Sequence, residues 1–258
     1  RGSMTGLDRN GYIVNDISLS NIQPEFRPAF KQVIDRFQRQ FGNLTHSLYL
    51  YGSVGRGTAV PYISDLDISV ILHQAPRADD LLKMNDLGTA LQLQNPIFSK
   101  VEFDVGDYDA VMRRNDYEWR FWLKHCCTPI AGDDLSSNIA RYRPAMHIGL
   151  AINQDIETRY RTAMSQLSTQ WDHSVAKSLA KKLIRCDYAL LAEKDQSWHI
   201  ALNLMVNTIQ RYVAAPDTTQ ILKLAQTTNL PTQASIESLH RYGKAVIQRY
   251  KSAAIAYT

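Results

Sequence analysis

The sequence has little of what membrane, disulfide-stabilised or zinc-binding proteins need. Among its 258 residues no apolar run approaches the roughly 18 residues of a membrane-spanning helix. It has three cysteines, an odd count that argues against a disulfide framework, and they show no metal-ligand spacing. Its seven histidines form no H-x-x-x-H pair. We therefore expect a cytoplasmic protein in a reducing compartment, with no membrane partner.

Strong charge is also absent. The net charge is +4 and charged residues make up 21% of the chain. This charge permits a nucleic-acid or nucleotide partner but does not demand one, because a dedicated nucleic-acid binder usually has a clustered basic face. Hydrophobic residues make up 45%, as in an ordinary globular protein. The length predicts one large or two small domains. Residues 1–4 resemble the remnant of an expression tag and carry no fold prediction.

The first half of the chain alternates between helical and strand periodicity. The apolar spacing predicts helices over Pro24–Phe41 and Ala78–Leu93. Alternating or short apolar runs predict strands over His46–Tyr51, Leu66–Leu72 and Phe98–Val105. This order is typical of a mixed α/β sheet with flanking helices.

After Gly132 only helical periodicity remains, with Pro216 and Pro231 at two of the breaks. The predicted helices cover residues 144–169, 172–194, 198–214, 217–228 and 232–256. The sequence therefore predicts an α/β domain over residues 1–142 and a helical bundle over residues 143–258.

Residues 48–69, LYLYGSVGRGTAVPYISDLDIS, join a glycine turn to a pair of aspartates. Gly52 has no Cβ, so its backbone can approach a phosphate, and Ser53 adds a hydroxyl and the N–H groups of a following turn. Asp65 and Asp67 would share one face of a strand, with Cα atoms about 7 Å apart. Magnesium is commonly held by one or two carboxylates together with substrate phosphates.

Two other chemistries fit this stretch less well. Gly52 and Gly57 have the spacing of a nucleotide-binding P-loop, but Thr58-Ala59 replaces its Lys-Ser/Thr. Phosphatases that use an aspartyl-phosphate place the apolar strand before the aspartate pair, whereas here the strand follows it.

A third carboxylate would complete such a metal site. Glu102 and Asp104 lie on the polar face of the last predicted strand, opposite an apolar face. A carboxylate there needs a metal, another partner or solvent. The alternative is a half-exposed strand with an ordinary polar outer face.

The order of these features resembles a known family. Gly52-Ser53, eleven intervening residues, Asp65-Leu66-Asp67 and a later carboxylate strand resemble the nucleotidyltransferase superfamily related to DNA polymerase beta. The nearest groups are the bacterial minimal nucleotidyltransferases and the aminoglycoside adenylyltransferases. The run at residues 132–135, GDDL, and the helical second half resemble two-domain members more loosely.

The resemblance implies transfer of a nucleoside monophosphate from a nucleoside triphosphate, with ATP favoured, to an acceptor hydroxyl, while pyrophosphate leaves. It implies a site in the cleft between the two domains. Gly52 and Ser53 would hold the triphosphate. Asp65 and Asp67 would hold Mg²⁺, and Asp104 or Glu102 would be the third carboxylate. Of these two we expect Asp104 to be the metal ligand and Glu102 to be the base or a neighbour.

Cations for the triphosphate are expected from the helical half, as in two-domain nucleotidyltransferases. Lys182 is the first candidate, Arg185 shares its helix face, and Arg56 beside the glycine turn is another. The alternative is a solvated basic face, with Arg56 as a surface turn residue.

The acceptor is open at this point. An aminoglycoside-like small molecule, a tRNA end, a protein side chain and another nucleotide all fit the resemblance. A further alternative is a nucleotide-binding or partner-binding protein of this fold that has lost turnover, although no aspartate of the motif is missing.

Overall fold

The computed structural model describes residues 4–114, 116–227 and 232–258. The chain forms two units. One unit covers Val14–Arg141, and the other joins the segment ending at Ile13 to Tyr142–Thr258. The domain limits themselves stay a prediction, and Pro231 and residues 1–3 lie outside the described residues.

The first unit contains a sheet with helices between its strands. Short 3₁₀ turns at Leu19–Asn21, Pro24–Phe26 and Leu135–Asn138 and a π-helical turn at Asp109–Arg113 complete it. Its helices and strands are α1 (Arg27–Phe41), β1 (Thr45–Tyr51), α2 (Ser53–Arg56), β2 (Leu66–Leu72), α3 (Ala78–Gln94), β3 (Val101–Asp107), α4 (Tyr117–His125) and β4 (Thr128–Gly132).

The described strands form a four-stranded sheet of order β3-β2-β1-β4. β1 runs antiparallel to β2 and β4, and β2 and β3 are parallel because α3 crosses over between them. Tyr51 lies opposite Asp67, and Asp67 lies opposite Glu102. Residues opposite one another on neighbouring strands point to the same side of a sheet. One end of one face therefore carries a tyrosine and two carboxylates.

The other face of the sheet carries the hydrophobic core. It packs against α1 and α3, because alternate strand residues and one stripe of each helix are apolar. The buried side chains are Leu48, Leu50, Leu66, Ile68, Val70, Leu72 and Val101 from the strands and Val33, Ile34, Phe37, Phe41, Met84, Leu87 and Leu91 from the helices.

Helix α4 contacts the polar face of the sheet. Asp116 caps its N-terminus by accepting from the N–H groups of Glu118 and Trp119. Trp122 Nε1 donates to Ser69 Oγ at 3.0 Å, and the Trp122 ring packs edge-on against Tyr51. Helix α4 therefore packs on the side of the sheet that carries the carboxylates.

The second unit contains helices and, before Val14, an isolated β-bridge between Leu7 and Ile13. Its helices are α5 (Met146–Ile152), α6 (Ile156–Thr169), α7 (His173–Ala189), α8 (Ala192–Asp195), α9 (Leu202–Tyr212), α10 (Thr218–Gln226) and α11 (Thr232–Ala256). No helix in the described part of the chain is both long and apolar enough to cross a membrane. The predicted fold class, a mixed sheet with flanking helices followed by a helical region, is confirmed.

Candidate active site

The glycine turn lies against Asp67, the aspartate within β2. Gly52 has a φ of +83°, and a Cβ built on it would meet Asp67 Oδ2 at 2.5 Å. Ser53 opens α2 directly after Gly52, and the left-handed Gly57 ends that helix. The turn can pass this close to a carboxylate because Gly52 has no side chain.

Three carboxylates converge beside this turn. Asp65, Asp67 and Glu102 each offer an oxygen, and these oxygens lie within 4.8 Å of one another. Asp67 and Glu102 meet because the parallel β2–β3 register sets them side by side. Asp65 comes from the residue just before β2. Hard oxygen donors of this kind suit Mg²⁺.

The electrostatics of the cluster favour a cation. Burial, followed by the charges of Asp65 and Glu102, raises the pKa of Asp67 to about 7. The charges of Lys100 and Arg56 oppose this rise without cancelling it, and Lys100 Nζ lies 3.3 Å from Glu102 Oε1. A divalent ion would relieve the repulsion among the three carboxylates, so the residues present fit a magnesium site.

Asp104 lies next to this cluster on β3, opposite Ser69. Desolvation, and then the charge of Glu102, raises the pKa of its carboxyl. The sequence favours Asp104 as the metal ligand and Glu102 as the base or a neighbour, and this assignment stays a prediction. The structure brings Glu102 to the two aspartates. The reason is the strand register, which pairs Glu102 directly with Asp67.

Three residues that the sequence did not single out lie in contact with the carboxylate cluster or next to it. Ser99 Oγ donates to Asp65 Oδ1 at 2.5 Å, Lys100 pairs with Glu102, and the pKa of Tyr51 is raised by burial and then by Asp67. The signal for Ser99 and Lys100 was their position directly before the strand that carries Glu102 and Asp104. Tyr51 was visible as the last residue of the strand before Gly52.

The predicted cations fall into two groups. Arg56 lies near the cluster, since its charge lowers the pKa of Asp67, and its Nε lies 3.3 Å from Asp16 Oδ2. Lys182 and Arg185 lie on α7 in the helical unit. Lys182 Nζ lies 3.2 Å from Asp155 Oδ1. A role for any of the three in nucleotide binding stays a prediction.

Comparison with known proteins agrees with this geometry. Residues 30–115 match the family model of the nucleotidyltransferase domain. No curated protein matches the sequence. The resemblance to this superfamily that the sequence predicts is confirmed, and the domain supports nucleotidyl transfer as the class of activity.

The structure of the chain is similar to that of spectinomycin adenyltransferase AAD(9) from Enterococcus faecialis, solved with ATP and spectinomycin. The TM-score is 0.50 and the identity 12%, over 84% of this chain and 99% of that chain. At this identity the likeness shows the fold. The segment matched to the nucleotidyltransferase domain contains the glycine turn and all four candidate carboxylates, and ends before α7.

Proposed function

We propose that the protein transfers AMP from ATP to a hydroxyl of a small polar acceptor, with release of pyrophosphate. The observation that carries this proposal is the cluster of Asp65, Asp67 and Glu102 against the Gly52 turn, inside a nucleotidyltransferase domain. Phosphoryl and nucleotidyl transfers depend mainly on positioning and on charge stabilisation, and this cluster supplies both for a metal-bound triphosphate.

Each side chain has a proposed part in the reaction. Asp65, Asp67 and Glu102 would hold Mg²⁺, which when bound neutralises and orients the phosphates. The Gly52-Ser53 turn would hold the phosphates through its backbone and the Ser53 hydroxyl. Asp104 is then left as the proposed base for the acceptor hydroxyl, because its raised pKa makes its carboxylate a stronger base than an ordinary aspartate.

The choice of ATP and of the acceptor class rests on the structural neighbour. Its structure was solved with ATP and spectinomycin, and the fold likeness extends over 99% of that chain. We therefore propose an aminoglycoside-like small molecule as the acceptor for this chain. The other acceptor classes left open by the sequence become arms of the test.

The test is a coupled assay of pyrophosphate release with ATP, Mg²⁺ and a panel of acceptors, including spectinomycin, aminoglycosides, tRNA and a second nucleotide. Mass spectrometry of the acceptor should show one added AMP group. Asp65→Asn and Asp67→Asn should abolish transfer. Asp35→Asn, which changes an exposed carboxylate on α1, is the matched control and should leave the rate unchanged.

Two results would contradict the proposal. Unchanged transfer in both aspartate variants would place the metal site elsewhere. Magnesium-dependent ATP binding without transfer to any acceptor class would favour the alternative, a nucleotide-binding protein that has lost turnover.

A further inference from the structure

Ser99 lies in the loop before β3 and contacts the loop that carries Asp65. Its Oγ lies 2.5 Å from Asp65 Oδ1 and 2.7 Å from the Ile63 carbonyl oxygen. The hydroxyl has a single proton, and the charged Asp65 carboxylate is the stronger of the two acceptors. Its backbone N–H donates to the Ser64 carbonyl at 3.0 Å. The next backbone contact, Leu66 N–H to the Lys100 carbonyl at 2.8 Å, starts the parallel pairing of β2 with β3. Ser99 is therefore fixed by its backbone at the point where its hydroxyl meets Asp65.

The two aspartates of the pair are held in different ways. Asp67 lies within β2, and its carboxylate is confined by the close approach of Gly52. Asp65 precedes the strand, so the sheet does not confine its side chain in the same way. A carboxylate outside a strand can rotate about its side-chain torsions, and fixing it needs a hydrogen-bond partner.

We propose that Ser99 is a positioning residue that sets the orientation of the Asp65 carboxylate for the cation. This inference rests on the proposed metal site. An O–H to carboxylate hydrogen bond of 2.5 Å is at the short, charge-assisted end of the range. It engages Oδ1 and leaves the lone pairs of Oδ2 for a metal. Groups that hydrogen-bond to metal ligands commonly set both ligand geometry and affinity.

The neighbouring residue acts on the other side of the cluster. Lys100 Nζ lies 3.3 Å from Glu102 Oε1, so the dipeptide Ser99-Lys100 contacts two of the three carboxylates. The Lys100 side chain is 59% exposed, and its flexible ammonium can move aside when a cation binds. The hydroxyl of Ser99, in contrast, remains compatible with a metal because it donates to Asp65 without competing for the cation.

The experiment measures Mn²⁺ affinity by calorimetry, in the absence of nucleotide, for four variants and the wild type. Ser99→Ala removes the hydroxyl, and Ser99→Thr keeps it. Ser136→Ala is the matched control, because Ser136 Oγ makes a similar bond of 2.7 Å to Asp134 Oδ1 within the same unit. Asp65→Asn reports whether the cation uses the proposed cluster.

We expect Ser99→Ala to weaken Mn²⁺ binding by roughly tenfold, while Ser99→Thr and Ser136→Ala stay within about twofold of wild type. In a transfer assay, Ser99→Ala should need more Mg²⁺ but approach the wild-type rate at saturation. Wild-type affinity in Ser99→Ala, or equal weakening in Ser99→Ala and Ser99→Thr, would overturn the inference.

Comparison of Asp65→Asn with Ser99→Ala distinguishes failure of the Ser99 role from failure of the proposed metal site. Wild-type Mn²⁺ binding that Asp65→Asn leaves unchanged would overturn the metal site and the role of Ser99 together. Binding that is lost in Asp65→Asn but normal in Ser99→Ala would overturn the role of Ser99 alone.

Discussion

At the scale of single residues, Gly52 is constrained twice. Its φ of +83° lies where side-chain-bearing residues are strained. Any Cβ would also meet Asp67 Oδ2 at 2.5 Å. The first constraint concerns the backbone alone, and the second couples the turn to the acidic cluster. The two can be separated by a matched pair of substitutions.

Gly52→Ala should lower the melting temperature and abolish Mn²⁺ binding, because it adds backbone strain of about 1–2 kcal/mol and also displaces Asp67. Gly11→Ala is the control. Gly11 has a similar φ of +82°, but the nearest atom to its added Cβ would be Arg143 Nε at 3.5 Å. Gly11→Ala should lose stability and keep metal affinity in calorimetric titrations. Normal Mn²⁺ affinity in Gly52→Ala would show that the turn does not shape the cluster.

The titration of Asp67 makes the stability of the metal-free protein depend on pH. The pKa of its carboxyl is raised to about 7 in the folded protein, whereas an aspartate in an unfolded chain titrates near a pKa of about 3.9. The folded state therefore binds this proton more tightly than the unfolded state. The contribution of the protonated Asp67 carboxyl to the stability of the fold is fully present below about pH 4 and is lost as the pH rises through about 7.

Asp67→Asn should consequently stabilise the metal-free protein relative to wild type. The difference in free energy of unfolding between the variant and wild type should increase from about pH 5 to about pH 8 and reach roughly 4 kcal/mol at most. Urea unfolding in the presence of a chelator, at both pH values, measures it. An equal difference in the free energy of unfolding at both pH values would mean that the folded protein does not disfavour the ionised form of Asp67.

At the scale of elements, the strands around the site were predictable because their patterns are short and clear. The predicted strands His46–Tyr51 and Leu66–Leu72 correspond to β1, Thr45–Tyr51, and β2, Leu66–Leu72. The predicted Phe98–Val105 strand overlaps β3, Val101–Asp107. Apolar alternation is a local property, and so a single sequence is enough to locate it.

The third carboxylate was not decidable from the same pattern. Glu102 and Asp104 are two residues apart, so a period of two puts both on one face. Which of them meets Asp67 depends on the pairing register of β2 with β3, and register is a long-range property that alternation leaves undefined.

The register makes a testable distinction between the two carboxylates. Glu102→Gln should weaken Mn²⁺ binding by roughly tenfold or more, since it removes a charged ligand. Asp104→Asn should keep that affinity within about twofold, yet slow transfer at saturating metal by about 10²–10⁴-fold if it is the base. Metal titrations of binding and of rate separate the two effects. The opposite pattern would return the ligand role to Asp104.

Some elements were missed for local reasons. β4, Thr128–Gly132, was not predicted, because it is short and contains Pro129, which lacks an N–H donor and suits an edge strand. The single helix predicted over residues 144–169 is divided into α5 and α6 at Asn153, whose side chain donates to the Gly149 carbonyl at 2.8 Å. Side-chain caps of this kind end helices without disturbing the apolar period.

At the scale of the whole molecule, the matched domain accounts for the cluster, and the contribution of the helical unit is a separate question. Helix α7 is anchored within that unit by Asp187, which is almost fully buried. Its carboxylate accepts two hydrogen bonds from Arg249, at 2.8 and 2.7 Å, and one from Tyr242 at 2.8 Å. Removing one partner of such a buried pair is costly because it leaves an unpaired buried charge, so these contacts tie α7 to α11. Substitution of another α7 side chain should therefore leave the helix in place.

Lys182 is the α7 residue that the sequence predicts to contact the triphosphate. In the structure its ammonium pairs with Asp155 and donates to the Ile152 carbonyl at 3.3 Å. If it also binds the outer phosphates, Lys182→Ala should weaken ATP binding by about ten- to a hundredfold, as expected for a charge-assisted contact of roughly 1.5–3 kcal/mol. AMP binding should change little, because AMP lacks those phosphates. Lys177→Ala, on the same helix, is the control. Calorimetric titration of both nucleotides decides the matter: an unchanged ATP-to-AMP affinity ratio would assign Lys182 to the Asp155 pair alone.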